Sequence, residues 1–82
     1  MAQTPPNVDE AVEAFQRAVA AALTEALADA KLTQAELARR AYSAPGNVSA
    51  LLSGRQNPTL ARVARTALAL GYRPALTLVP VG

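Results

Sequence analysis

Apolar residues recur along most of this chain at steps of three and four, the spacing that lines one face of a helix. The series Val12, Phe15, Val19, Ala22, Leu23, Ala26, Leu27 and Ala30 is the longest. It predicts an alanine-rich amphipathic helix of about 22 residues, with Asn7 and Glu10 as a capping box at its start. Acids crowd its first turn, where the helix dipole favours them. Pro5 and Pro6 block any earlier helix, so residues 1–6 are expected to form a loose tail. Helix one is long for so small a chain, and its N-terminal half is a candidate partner surface.

Three shorter segments follow a break at Lys31-Leu32. Thr33 and Glu36 form a second capping box, opening a helix through about Ala41 whose inner face is Leu37, Ala38 and Ala41. Tyr42–Ala44 reads as a turn, and Pro45 suits the first turn of a third helix that runs to about Ser53. Val48, Leu51 and Leu52 point inward from it, and Gly54 supplies the left-handed stop. Beyond the polar loop 55–58, Thr59 caps a fourth helix, with Leu60, Val63, Ala64, Ala67, Leu68 and Leu70 as its buried face and Gly71 as its end. Ala75-Leu76-Thr77-Leu78-Val79 between two prolines predicts a short strand. The expected organisation is a tail over 1–6, a helical domain over 7–73 and a strand segment over 74–82.

Composition narrows the chemistry. With 82 residues and neither cysteine nor histidine, the chain has no disulfide, no thiolate or imidazole zinc site and no nucleophile–histidine pair. No enzyme activity and no cofactor or metal are expected. No run of about 18 apolar residues is present, and the N-terminus lacks the pattern of a secretion signal. The expected compartment is the cytoplasm.

The distribution of charge says more than its total. All six acids lie within residues 1–36, with only Arg17 and Lys31 as bases. From residue 37 onward there are six arginines and no acid, a polarity suited to a polyanionic partner. Two short helices joined by a tight turn can brace the second in the major groove of duplex DNA. The third predicted helix has the required composition: Val48 and Leu51 on one side, and Pro45, Gly46, Asn47, Ser49, Ala50 and Ser53 on the other.

The run Leu32-Thr33-Gln34-Ala35-Glu36-Leu37-Ala38, followed by Val48-Ser49, Gly54, Asn57-Pro58-Thr59-Leu60 and Ala69-Leu70-Gly71, resembles the Cro/C1-type (Xre-like) helix-turn-helix family. That family includes phage repressors and antitoxins of toxin–antitoxin modules. The resemblance implies an all-α, four- to five-helix lambda-repressor-like domain, here with the short C-terminal β-strand. It also implies a homodimeric repressor of double-stranded DNA, or an antitoxin that binds a toxin protein and represses its own operon. A nonspecific architectural DNA binder is a further alternative.

Carried over by position, Gln34 caps the bracing helix and touches a phosphate. Ala44, Pro45, Gly46 and Ala50 fall at phosphate- or base-contacting positions, and Arg55 falls where a basic residue meets the backbone. Thr33, Asn47, Ser49 and Ser53 complete the candidate DNA-binding set. The sequence departs from the family pattern at Tyr42, which occupies the usual turn glycine, and at Ser43, a usual small apolar position. Tyr42 is expected to pack. Arg62 and Arg65 are expected on a solvated face, Arg62 being the better phosphate candidate, while Arg39 and Arg40 pair with Glu36 or lie in solvent. Leu76, Thr77, Leu78 and Val79 are expected to pair between two copies, since an unpaired strand edge is costly.

Overall fold

A computed structural model describes residues 7–81. The tail expected over residues 1–6 lies outside them. Four helices follow one another: α1 (Val8–Ala30), α2 (Gln34–Arg40), α3 (Pro45–Leu52) and α4 (Leu60–Ala69). The fold is all-helical; α1, α2 and α4 begin where the sequence places a side-chain cap, and α3 begins at Pro45. Asn7 Oδ1 accepts the Glu10 amide at 2.8 Å, and Thr59 Oγ1 accepts the Arg62 amide at 3.1 Å. At α2 the box is reciprocal: the Glu36 amide donates to Thr33 Oγ1 (3.1 Å) and the Thr33 amide donates to Glu36 Oε1 (3.0 Å).

Three helix ends share one device. At α2 the Ser43 amide reaches back to the Ala38 carbonyl (2.9 Å) and the Tyr42 amide to the Arg39 carbonyl (3.3 Å), with Tyr42 left-handed at φ 53°. This pairing satisfies carbonyls that the last turn leaves free. The same pattern closes α1 at Lys31 (φ 58°) and α4 at Gly71 (φ 86°).

The core gathers Leu23, Ala26 and Leu27 of α1, Leu37 and Ala38 of α2, Val48 and Leu51 of α3, and Ala67 of α4, with Leu70 after it. Leu37 and Val48 are the largest fully buried side chains, so the bracing and the second helix of the pair meet at the centre. Inner faces of α2 and α3 are those the periodicity predicts.

Elsewhere the pattern overstates the core. Phe15 is half exposed, Ala22 and Ala30 are exposed, and Leu60 and Leu68 stand at 83% and 64% exposure. For Phe15 the reason is geometric: a helix of 23 residues is roughly 35 Å long, and its buried residues, Ala20, Leu23, Ala26 and Leu27, all lie in its C-terminal half. Ala20, which the stripe omits, is buried because α3 ends against it. Thr66 is also buried, its hydroxyl donating to the Arg62 carbonyl at 2.8 Å.

The expected C-terminal strand is not formed. Among the described residues no strand exists, and residues 72–81 are an irregular, exposed segment after Gly71. A strand is defined by a ladder, and within one chain Leu76–Val79 have no neighbouring strand to bond.

Candidate nucleic-acid interface

The helix pair α2–α3 sets the geometry of the site. Val48 and Leu51 anchor α3 in the core, which turns the opposite side of the helix to solvent. That outer side carries Pro45, Gly46 and Ser49, all exposed, flanked by half-buried Asn47 and Ala50. No acid lies in α3 or anywhere after it. A protruding, acid-free helix face can approach a phosphate-lined groove without electrostatic penalty.

Its first turn is bare. Ala44 is the N-cap residue and offers no side-chain acceptor, and Pro45 has no amide hydrogen. The Gly46 amide is therefore free to meet an acceptor on a partner, and the positive end of the helix dipole favours an anion there. A Cβ built at Gly46 meets nothing within 4 Å, and Gly46 is not left-handed. The fold itself makes no demand for glycine at this position.

At the other end of α3, Ser53 is committed to its own chain. Its hydroxyl donates to the Ala50 carbonyl (2.7 Å) and accepts from Arg55 Nε (3.1 Å) and the Arg55 amide (3.4 Å). Ser53 thus holds the Arg55 guanidinium beside the end of α3 rather than presenting a free hydroxyl. Arg62 Nη1 donates to Gln56 Oε1 at 3.3 Å, drawing the start of α4 to the same loop. Thr33 and Gln34 are exposed at the start of α2, the Thr33 hydroxyl being used in the cap. The Glu36 carboxyl is held below its ordinary pKa. Its causes are the Thr33 amide, the Thr33 hydroxyl and the charges of Arg39 and Arg40, against some loss of hydration.

Tyr42 corrects the sequence expectation. Its side chain stands in solvent: it is 92% exposed, on a left-handed backbone that disfavours a Cβ. Arg17 is a residue that sequence reasoning left in the acidic half. A Cβ at Gly54 would stand 3.4 Å from Ala20 Cβ, 3.6 Å from Arg17 Cα and 3.7 Å from Arg17 Cγ. The fold therefore brings Arg17 beside the residue that precedes Arg55. One signal was available, because Arg17 is the sole base among the first thirty residues.

Leu76 and Thr77 line an open groove of about 910 Å³ between α1, α4 and the segment after Gly71, together with Phe15, Leu60 and Val63. Leu78 and Val79 stand free of it at 83% and 79% exposure. Among the described residues no cluster of acidic side chains could hold a metal ion, and no helix is long and apolar enough to cross a membrane.

A family model described as helix-turn-helix matches residues 23–76, from the middle of α1 to beyond α4. No curated protein and no solved structure matches the chain.

Proposed function

Because the chain belongs to the Cro/C1-type helix-turn-helix family of DNA-binding regulators, we propose that it is a sequence-specific transcriptional repressor acting on its operator as a homodimer. The observation that carries this reading is the two-sided character of α3: Val48 and Leu51 buried, Pro45, Gly46 and Ser49 open, and no acid beside them. In this reading α3 lies in the major groove, with the Gly46 backbone and Asn47 nearest the bases. Gln34 and Arg55 fix the register through phosphates.

Side chains at Ala44, Pro45, Gly46 and Ala50 offer no hydrogen bond, so direct readout rests on few groups. Asn47 is the richest of them, and Ala50 can meet a thymine methyl. Much of the specificity then comes from half-site spacing and groove shape. Selection of bound sequences from a random duplex pool tests this. Paired half-sites with centres about one helical turn, roughly 34–36 Å, or a multiple of it apart are expected. An unpaired or featureless pool contradicts it.

Dimerisation is assigned to Leu76, Thr77, Leu78 and Val79, whose exposure leaves them available to a second copy. Removing residues 75–82 is expected to give a monomer in sedimentation, whereas a persisting dimer moves the interface to α1. One observation favours a second reading as an antitoxin. The apolar groove beside Phe15 and Leu60 is lined by two acids, Glu25 and Asp29, and one base, Arg73, a net acidic rim suited to a basic protein partner. Co-purification with such a partner separates the two readings.

A further inference from the structure

The helix that carries almost all the chain's acids also holds one arginine at a distinctive place. Asp9, Glu10, Glu13, Glu25 and Asp29 belong to α1, and Arg17 is its sole base. The fold brings Arg17 and Ala20 against Gly54, where α3 has just ended, and both the Cα and the Cγ of Arg17 are among the atoms nearest to a Cβ built there. The stem of Arg17 thus lies against Gly54, and Arg17 is exposed. Arg55, the next residue, is tied by its Nε to Ser53 Oγ at 3.1 Å, and Ser53 is tied to the Ala50 carbonyl. Two arginines from remote parts of the sequence thus stand beside one glycine at the exit of the exposed helix.

We infer that Arg17 is a phosphate contact that works with Arg55 as a two-arginine clamp on the DNA strand passing the C-terminal end of α3. This rests on the reading of α3 as the groove-seated helix. Two arginines held near one another raise the local positive potential, and residues 37–82 hold no acid to lower it. A phosphate lowers it, and each contact releases condensed counterions from the duplex. Packing of the stem alone accounts for the contact of Cγ with Gly54, as arginine stems commonly cover small residues. It gives no reason for a charge at the tip. Glu13, one turn earlier on α1, is the competing carboxylate, but an exposed pair of that spacing is weak in water and screened by salt.

Gly54 ends α3 in the left-handed region, at φ 76°, with the arginine stem at van der Waals distance from where a Cβ would stand.

The test is the salt dependence of binding, measured by fluorescence anisotropy on a selected duplex and on a random-sequence duplex of equal length. Arg17→Gln shortens the side chain modestly, keeps much of its stem and removes its charge. It is expected to reduce the magnitude of the log affinity–log salt slope by about 0.9 per protomer on both duplexes. Arg17→Lys is expected to retain the wild-type slope. Thermal melting checks each fold, and Arg17→Met serves as the second neutral variant if Arg17→Gln melts early. A wild-type slope in the folded neutral variant, with the slope of Arg55→Ala reduced, overturns the inference and leaves the functional reading standing. If wild-type protein binds neither duplex, that reading falls together with the clamp.

Discussion

Gly54 lies so close to Ala20 that a Cβ built on it would stand 3.4 Å from the Ala20 Cβ. This pair fixes where the end of α3 meets α1, and it explains why Ala20 is buried though it falls outside the apolar stripe of its helix.

Gly54 and Tyr42 share a left-handed backbone, at φ 76° and 53°, and substitution at the two is expected to act in opposite directions. Gly54→Ala forces a Cβ into a disfavoured region against Ala20 and should destabilise the protein by about 1–2 kcal/mol. Tyr42→Gly removes such a Cβ from a side chain that is 92% exposed, so little packing is lost. It should stabilise by roughly 1 kcal/mol, less the extra freedom glycine gives the unfolded chain. Denaturant melts of both variants check the signs.

Gly46 separates fold from function. It lies inside α3, is not left-handed, and a Cβ there meets open space. Gly46→Ala should raise stability by about 0.5–1 kcal/mol, as alanine suits a helix better. The same methyl stands between the backbone and the groove, and operator affinity should fall several-fold. Unchanged or tighter binding in a stabilised variant would mean that the first turn of α3 does not approach DNA closely.

Glu36 makes one part of stability depend on pH. Its folded pKa is lowered by the Thr33 amide and hydroxyl, with Arg39 and Arg40 adding to the effect. A lowered folded value means that the ionised cap stabilises at neutral pH. That contribution is lost as the pH falls below the ordinary glutamate value of about 4.3. Glu36→Gln should therefore melt below wild type near neutrality, the gap narrowing in acid. A gap constant across that range would show that the charge is irrelevant to the box.

The helices and their caps were legible because they depend on short-range patterns. Thr33 with Glu36, Pro45 and Gly71 each act on neighbours within one turn. Burial was less legible, since periodicity shows which face is apolar but not how far a covering element reaches. Phe15 and Leu60 lie on apolar stripes, yet among the described residues no element covers them. The strand at Leu76–Val79 needs a partner that one chain lacks. Within the site, the exposed set on α3 followed from Val48 and Leu51 pointing inward. Two features escaped because they depend on three-dimensional placement: the engagement of the Ser53 hydroxyl by Arg55, and the seat of Arg17 beside Gly54.

The central claim is that α3 reads a particular DNA sequence, and competition binding tests it most directly. A labelled duplex carrying the selected site is bound at fixed salt, then challenged with the unlabelled site and with a scrambled duplex of equal length. The account predicts that the selected duplex competes about a thousandfold or more better than the scrambled one. Equal competition by the two would contradict it and leave a protein that holds DNA by charge alone.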